Sequence, residues 1–268
     1  MGKYLRNLRL AAFSVALVVA VLWLMFRPQS EVGERFSGMT MGTTYAVRLR
    51  SCEPADCSEL QAAVQTMLAE LEARFSHYDP ESPVARFNRA DTTDWFPMDA
   101  EILSVIDYAL SISWQSEGAF DITAAPLVDA WGFCPEPRTG VPDARELARL
   151  REHVGFRKLS IRESPPALAK SDPELRIDLS AVAKGYAVDQ VALLLEGRGI
   201  NDYLIDIGGE VRTNGVRRRG SPWRVGIEPP DAGLSIRHII TPLSEAVASS
   251  GDYRNYFEAD GKRYSHAL

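Results

Sequence analysis

The chain has 268 residues, 46% hydrophobic and 25% charged, the composition of one large globular domain or two small ones, which excludes a disordered tail or a peptide-sized scaffold. Its 30 basic and 36 acidic side chains leave a net charge of −6, and beyond residue 30 the balance is 26 basic to 36 acidic. That excess of acid excludes nucleic-acid binding through a basic face, because little would neutralise the phosphates.

The first thirty residues contain Lys3, Arg6, Arg9 and Arg27 and no acid. Between the basic stretch and Arg27 lies an unbroken apolar run from Leu10 to Phe26. As a helix its 17 residues would reach about 26 Å, just short of the roughly 30 Å hydrocarbon core. No small-x-small cleavage site follows, and no cysteine follows to be lipidated, so residues 1–30 read as an uncleaved membrane anchor rather than a cleaved signal. Three basic residues precede the run and one follows, which places the N-terminus in the cytoplasm and exports the bulk of the protein, residues 31–268. In an oxidising compartment Cys52 and Cys57 have two readings, a small disulfide loop or two exposed thiols, with Cys134 outside the pair. No CxxC occurs, so there is no zinc framework.

A polar linker, 27–36, precedes Tyr45, Val47 and Leu49, which alternate with polar residues as a half-buried strand does. A helix follows, with capping-box spacing at Ser58 and Gln61 and apolar positions Leu60, Val64, Met67, Leu68, Leu71 and Phe75. A second helix has Asp99 as N-cap, then Ile102, Val105, Ile106, Ala109 and Ile112, with Gly118 near its end. Residues 135–145 read as a loop, and a short charged helix runs to about Arg151. RIDLS leads into a helix from about Ser180 to Gly197 or Gly199. YLIDIGGEVRTNG reads as strand, glycine turn and strand, WRVGIEP as a strand, and Asp260–Gly261 as a tight hairpin turn. Long helices among hairpins predict an α+β fold rather than a wound parallel sheet.

The sequence carries no GxSxG, HExxH, P-loop or GxGxxG motif. Its candidate chemistry lies instead in polar residues set among apolar or glycine-rich ones. Asp121 lies between Phe120 and Ile122. Asp178 precedes a helix, and Lys184 falls in what reads as its first turn. Free N–H groups and partial positive charge at a helix N-terminus, with a lysine beside them, would suit a phosphate; a solvated lysine is the competing reading. Of four histidines, His77 and His266 lie among aromatic and polar residues, and His266 is a candidate general base. Met41 and Tyr78 border turns where a flat ligand could lie.

Six segments, MTMGTTYAV (39–47), FSHYDPESPVARFN (75–88), GAFDITAAPLVDAWGF (118–133), IDLSAVAKGYAVD (177–189), IDIGGEVRTNG (205–215) and SGDYRNYFEADGKRYSH (250–266), resemble in order and spacing the FAD:protein FMN transferases, the ApbE family. The resemblance implies an exported, magnesium-dependent enzyme that cuts FAD at its diphosphate. Such an enzyme transfers FMN to a threonine or serine hydroxyl of a target protein and releases AMP. The implied acceptors are flavoprotein subunits of membrane redox complexes of the sodium-translocating NADH:quinone reductase or Rnf type. Positions matching Met41, Tyr78, Ala119, Phe120, Asp121, Asp178, Lys184 and Ala267 are implied to contact FAD. The Ala181 carbonyl is implied as a magnesium ligand, and His266 as the base. The family pattern continues past the histidine into an Asp-Pro-x-Thr-Gly-like block and further magnesium ligands, whereas this sequence stops at Leu268; the expectation is a chain lacking its C-terminal part. Two other readings fit the same residues, a non-catalytic periplasmic flavin-binding protein and an FAD pyrophosphatase.

Overall fold

A computed structural model describes residues 33–134, 140–229, 236–251 and 256–266. The apolar run Leu10–Phe26, residues 135–139 of the 135–145 loop and Ala267 lie outside the described residues. Among the described residues no helix is long and apolar enough to cross a membrane.

The fold is α+β. β1 (Arg35–Thr40) and β2 (Thr43–Leu49) form a hairpin, followed by α1 (Pro54–Phe75), α2 (Pro83–Arg89), β3 (Phe96–Pro97), α3 (Ala100–Gln115), α4 (Ala125–Ala130) and α5 (Ala144–Glu152). Then come β4 (Leu159–Arg162), β5 (Ala167–Lys170), α6 (Ser180–Gly197), β6 (Tyr203–Ile207) and β7 (Glu210–Asn214). Two short hairpins and one further strand complete it: β8 (Val225–Ile227), β9 (His238–Ile240), β10 (Ala246–Val247), β11 (Tyr256–Ala259) and β12 (Lys262–Ser265). The main sheet has the order β1-β2-β6-β7-β10 and is antiparallel throughout, with Tyr45 opposite Ile207 and Asp206 opposite Val211. A smaller antiparallel sheet has the order β3-β5-β4.

The period-two alternation of β2 buries Tyr45, Val47 and Leu49 with Tyr203, Ile205 and Ile207 of β6 in one core. Helices α1, α3 and α6 close that core with Leu60, Val64, Leu68, Ile102, Ile106, Ala187 and Val191. The opposite face of β6 and β7 is covered in turn, because Leu204 and Val211 pack against Trp223.

Helix α1 begins five residues earlier than the capping-box spacing predicts, with Glu53 rather than Ser58 as its N-cap. Pro54 supplies the fixed φ of a first helical residue, Asp56 lies in the first turn, and Ser58 is already inside the helix. Cys52 and Cys57 are joined by a disulfide across this start, with Cα atoms 5.7 Å apart. Asp99 caps α3 as its sequence predicts, its carboxylate accepting the Glu101 N–H at 2.8 Å. The short helices α2 and α4 and the β3-β5-β4 sheet have no counterpart in the sequence reading. Seven residues or fewer in each of these helices is too short for a helical period to show.

Candidate functional site

The segment carrying Tyr78 is a loop fixed by its own serines. Ser76 Oγ accepts the backbone N–H groups of Tyr78 and Asp79 at 3.2 and 3.0 Å. Ser82 Oγ donates to the Ser76 carbonyl and also caps α2 by accepting the Ala85 N–H at 2.9 Å. Tyr78 itself is 46% exposed. Burial of its hydroxyl, with the nearby charges of Asp178 and Asp129 and the Cys134 thiol, pushes its pKa well above the ordinary phenol value.

The 118–123 segment turns sharply after α3, with positive φ at Glu117 and Gly118. Asp121 fastens it. One carboxylate oxygen accepts from the Thr123 N–H and Oγ1 at 2.8 and 2.7 Å, and the other from the Phe156 N–H at 2.9 Å. Thr123 Oγ1 also accepts the Gly155 N–H at 2.7 Å. The Asp121 carboxylate is therefore engaged within the protein, while Ala119 is exposed and Phe120 is partly buried against the core.

Asp178 is held from three sides. Asn88 exchanges two hydrogen bonds of 2.8 Å with the Ile177 backbone, and the Asp178 N–H donates to the Ile122 carbonyl at 2.8 Å. Asp178 Oδ1 accepts the Ser180 N–H at 2.7 Å and lies 3.2 Å from His77 Nδ1. Asp178 thus occupies the first N–H of α6, whose N-cap residue Leu179 makes no side-chain cap. A correction concerns Lys184. Because α6 starts at Ser180, Lys184 is its fifth residue, beyond the first turn, and its ammonium pairs with Glu210 Oε1 at 3.0 Å. Glu210 Oε2 is buried and accepts no hydrogen bond among the described residues.

Glu210 opens β7 directly after the Gly208–Gly209 turn, and that turn lies against the β1–β2 hairpin. The Gly208 N–H donates to the Thr44 carbonyl at 3.0 Å, and a Cβ on Gly208 would stand 2.7 Å from Thr43 Cγ2. Met41 and Gly42, both at positive φ, make the adjacent two-residue turn, as the twist of a tight hairpin requires. The remaining wall comes from β11–β12. Tyr264 stacks on Trp131 at 5.1 Å, and exposed His266 meets the Phe133 ring edge-on at 6.3 Å. Asp129, on the same stretch, pairs with Arg176 at 3.0 Å.

Asp178 is linked to Tyr78 through the His77 ring and to the 118–123 segment through the Ile122 carbonyl. Met41 lies in the hairpin turn beside the Gly208–Gly209 turn that leads to Glu210 and its partner Lys184, and His266 packs on Phe133. Ala181, in the first turn of α6, is exposed. Among the described residues no group of three or more His, Cys, Asp or Glu side chains is placed to hold a metal ion. One carbonyl does not make a magnesium site, since that ion takes near-octahedral oxygen ligation; the described residues do not fit a complete one. Sequence reading missed Asn88, Ser76, His77 as a partner of Asp178, and Glu210. Only Glu210 carried a signal, an acid immediately after a double glycine.

The sequence model of the ApbE family matches residues 41–268. The chain belongs to the ApbE family. A Vibrio cholerae protein named FAD:protein FMN transferase is 42% identical over 245 residues, 90% of this chain and 72% of that protein. The protein of the same name from Escherichia coli K12 is 33% identical over 235 residues, 86% of this chain and 67% of its relative. The solved flavin transferase ApbE from Vibrio cholerae superposes with a TM-score of 0.79 at 41% identity, covering 87% of this chain and 74% of that one. The apo flavinyl transferase ApbE of Pseudomonas stutzeri gives 0.78 at 38% identity, with 88% and 73% covered. The α+β architecture is thus the ApbE fold.

Proposed function

We propose that this chain is an FAD:protein FMN transferase that moves the FMN half of FAD onto a threonine or serine hydroxyl of a target flavoprotein and releases AMP. The observation that carries the reading is the 42% identity over 245 residues to a protein of that activity. The acceptor oxygen forms a bond to the phosphorus of the FMN half, the anhydride bond breaks, and AMP leaves with the bridging oxygen. A neutral hydroxyl is a poor nucleophile until a base removes its proton. His266, exposed just after β12 beside Phe133, would take that proton. Tyr78, the 119–121 segment and Met41 supply faces and backbone for the dinucleotide, and Lys184 supplies positive charge towards the diphosphate.

The apolar run Leu10–Phe26 and the basic residues before it support an inner-membrane anchor with the catalytic domain in the periplasm. The acceptors would then be periplasm-facing flavoprotein subunits of membrane redox complexes, of the sodium-translocating NADH:quinone reductase or Rnf type. Incubation with FAD, magnesium and such an acceptor domain tests the reading by mass spectrometry. Acceptor carrying FMN together with free AMP supports it. Intact bound FAD would favour a binding protein, and free FMN without acceptor labelling a pyrophosphatase. Magnesium dependence is read by omitting the ion from the same reaction.

A further inference from the structure

His77 stands inside the site with no part assigned in the chemistry. Its side chain is only 9% exposed and its Nδ1 lies 3.2 Å from Asp178 Oδ1. Its ring packs on Tyr78 with centroids 3.7 Å apart and planes at 44°. Tyr78, by contrast, is 46% exposed. A ring half in water has several staggered rotamers open to it. A neighbouring ring in contact, itself tethered, removes the alternatives. The carboxylate it rests against is itself fixed, by the Ser180 N–H at 2.7 Å and by the Asp178 N–H to the Ile122 carbonyl at 2.8 Å.

We propose that His77 is a positioning residue for the flavin dinucleotide: anchored on Asp178, it holds the Tyr78 ring in the orientation that receives the ligand. The inference rests on the reading of the chain as an FAD:protein FMN transferase. His77 acts through Tyr78 rather than on the reacting atoms. Its loss therefore removes binding that ground state and transition state share, which raises KM and leaves kcat at saturating FAD nearly unchanged.

The test uses the full chain with FAD and acceptor, comparing the parent, His77→Asn, His77→Phe, Tyr78→Ala and the His77→Asn/Tyr78→Ala double variant. Asparagine keeps a donor towards Asp178 and removes the ring; phenylalanine keeps the ring and removes the tether. His77→Asn should raise the FAD Kd and KM about 3- to 10-fold, the scale of one aromatic contact, with kcat lowered no more than about twofold. His77→Phe should show a smaller rise of the same kind. The double variant should bind FAD no more weakly than Tyr78→Ala alone, since coupled residues are not additive. Unaltered Kd in both His77 single variants, additive losses in the double variant, or a fall in kcat without a rise in KM would each overturn the proposal. Thermal unfolding checks that each variant is folded, and His77→Gln, which also keeps a donor, replaces any asparagine variant that is not. A parent chain that fails to bind FAD would instead refute the transferase reading, so the two failures are distinguishable.

Discussion

At Lys184, packing and substrate binding compete for one ammonium group, and Lys184→Met separates them. The group lies 3.0 Å from Glu210 Oε1, with the two side chains 31% and 20% exposed. Unit charges at that distance attract by about 5 kcal/mol at an effective dielectric near 20. Desolvation and side-chain ordering offset most of this, leaving a net contribution on the order of 1 kcal/mol for a partly exposed pair. A charge-assisted hydrogen bond to a diphosphate oxygen contributes about 1.5–3 kcal/mol. Drawing the ammonium from Glu210 subtracts the cost of loosening the pair, so Lys184→Met should weaken FAD binding by about 1–2 kcal/mol, roughly 5- to 30-fold. Glu210→Gln removes the competing charge and should tighten FAD by up to about fivefold. Calorimetric titration with FAD at low and high salt reads both variants, and the contrast should shrink at high salt as screening grows. Unchanged affinity in Lys184→Met, with only stability reduced, would refute the reasoning and make Lys184 a structural partner of Glu210.

Asp121→Ala deletes an acceptor of three hydrogen bonds and should cost about 3–4 kcal/mol in urea unfolding; a loss under about 1 kcal/mol would show that the 118–123 segment is held some other way. Gly208→Ala places a methyl 2.7 Å from Thr43 Cγ2 at φ +60 and should destabilise by about 1–3 kcal/mol, an expectation that parent-like stability would contradict. Burial would raise the Asp172 pKa, but hydrogen bonds from Lys158, the Glu174 N–H and His153 outweigh it and hold the carboxyl below its ordinary value. Its contribution to stability is therefore present above the unfolded pKa near 4 and lost as pH falls through the folded value. Asp172→Asn should be less stable than the parent at neutral pH, with the gap closing below about pH 4; a gap constant down to pH 3 would count against the assignment.

The α+β class, the start of α6 at Ser180, the cap at Asp99, the alternation of β2 and the Asp260–Gly261 turn were all legible in the chain. Each depends on neighbours a few residues away, where periodicity, capping and turn conformation act. The six ordered segments likewise sufficed for the family, because spacing along a chain is itself a sequence property. The use of each polar group was decided elsewhere. Nothing local indicates that Asp121 bonds the Phe156 backbone, that Asp178 lies beside His77, or that Lys184 meets Glu210, 26 positions further along the chain. Lys184 and Glu210, for example, are brought together by α6 packing on β6 and β7. A charge near a helix start reads as an anion site until tertiary packing shows which carboxylate of the same protein already occupies it.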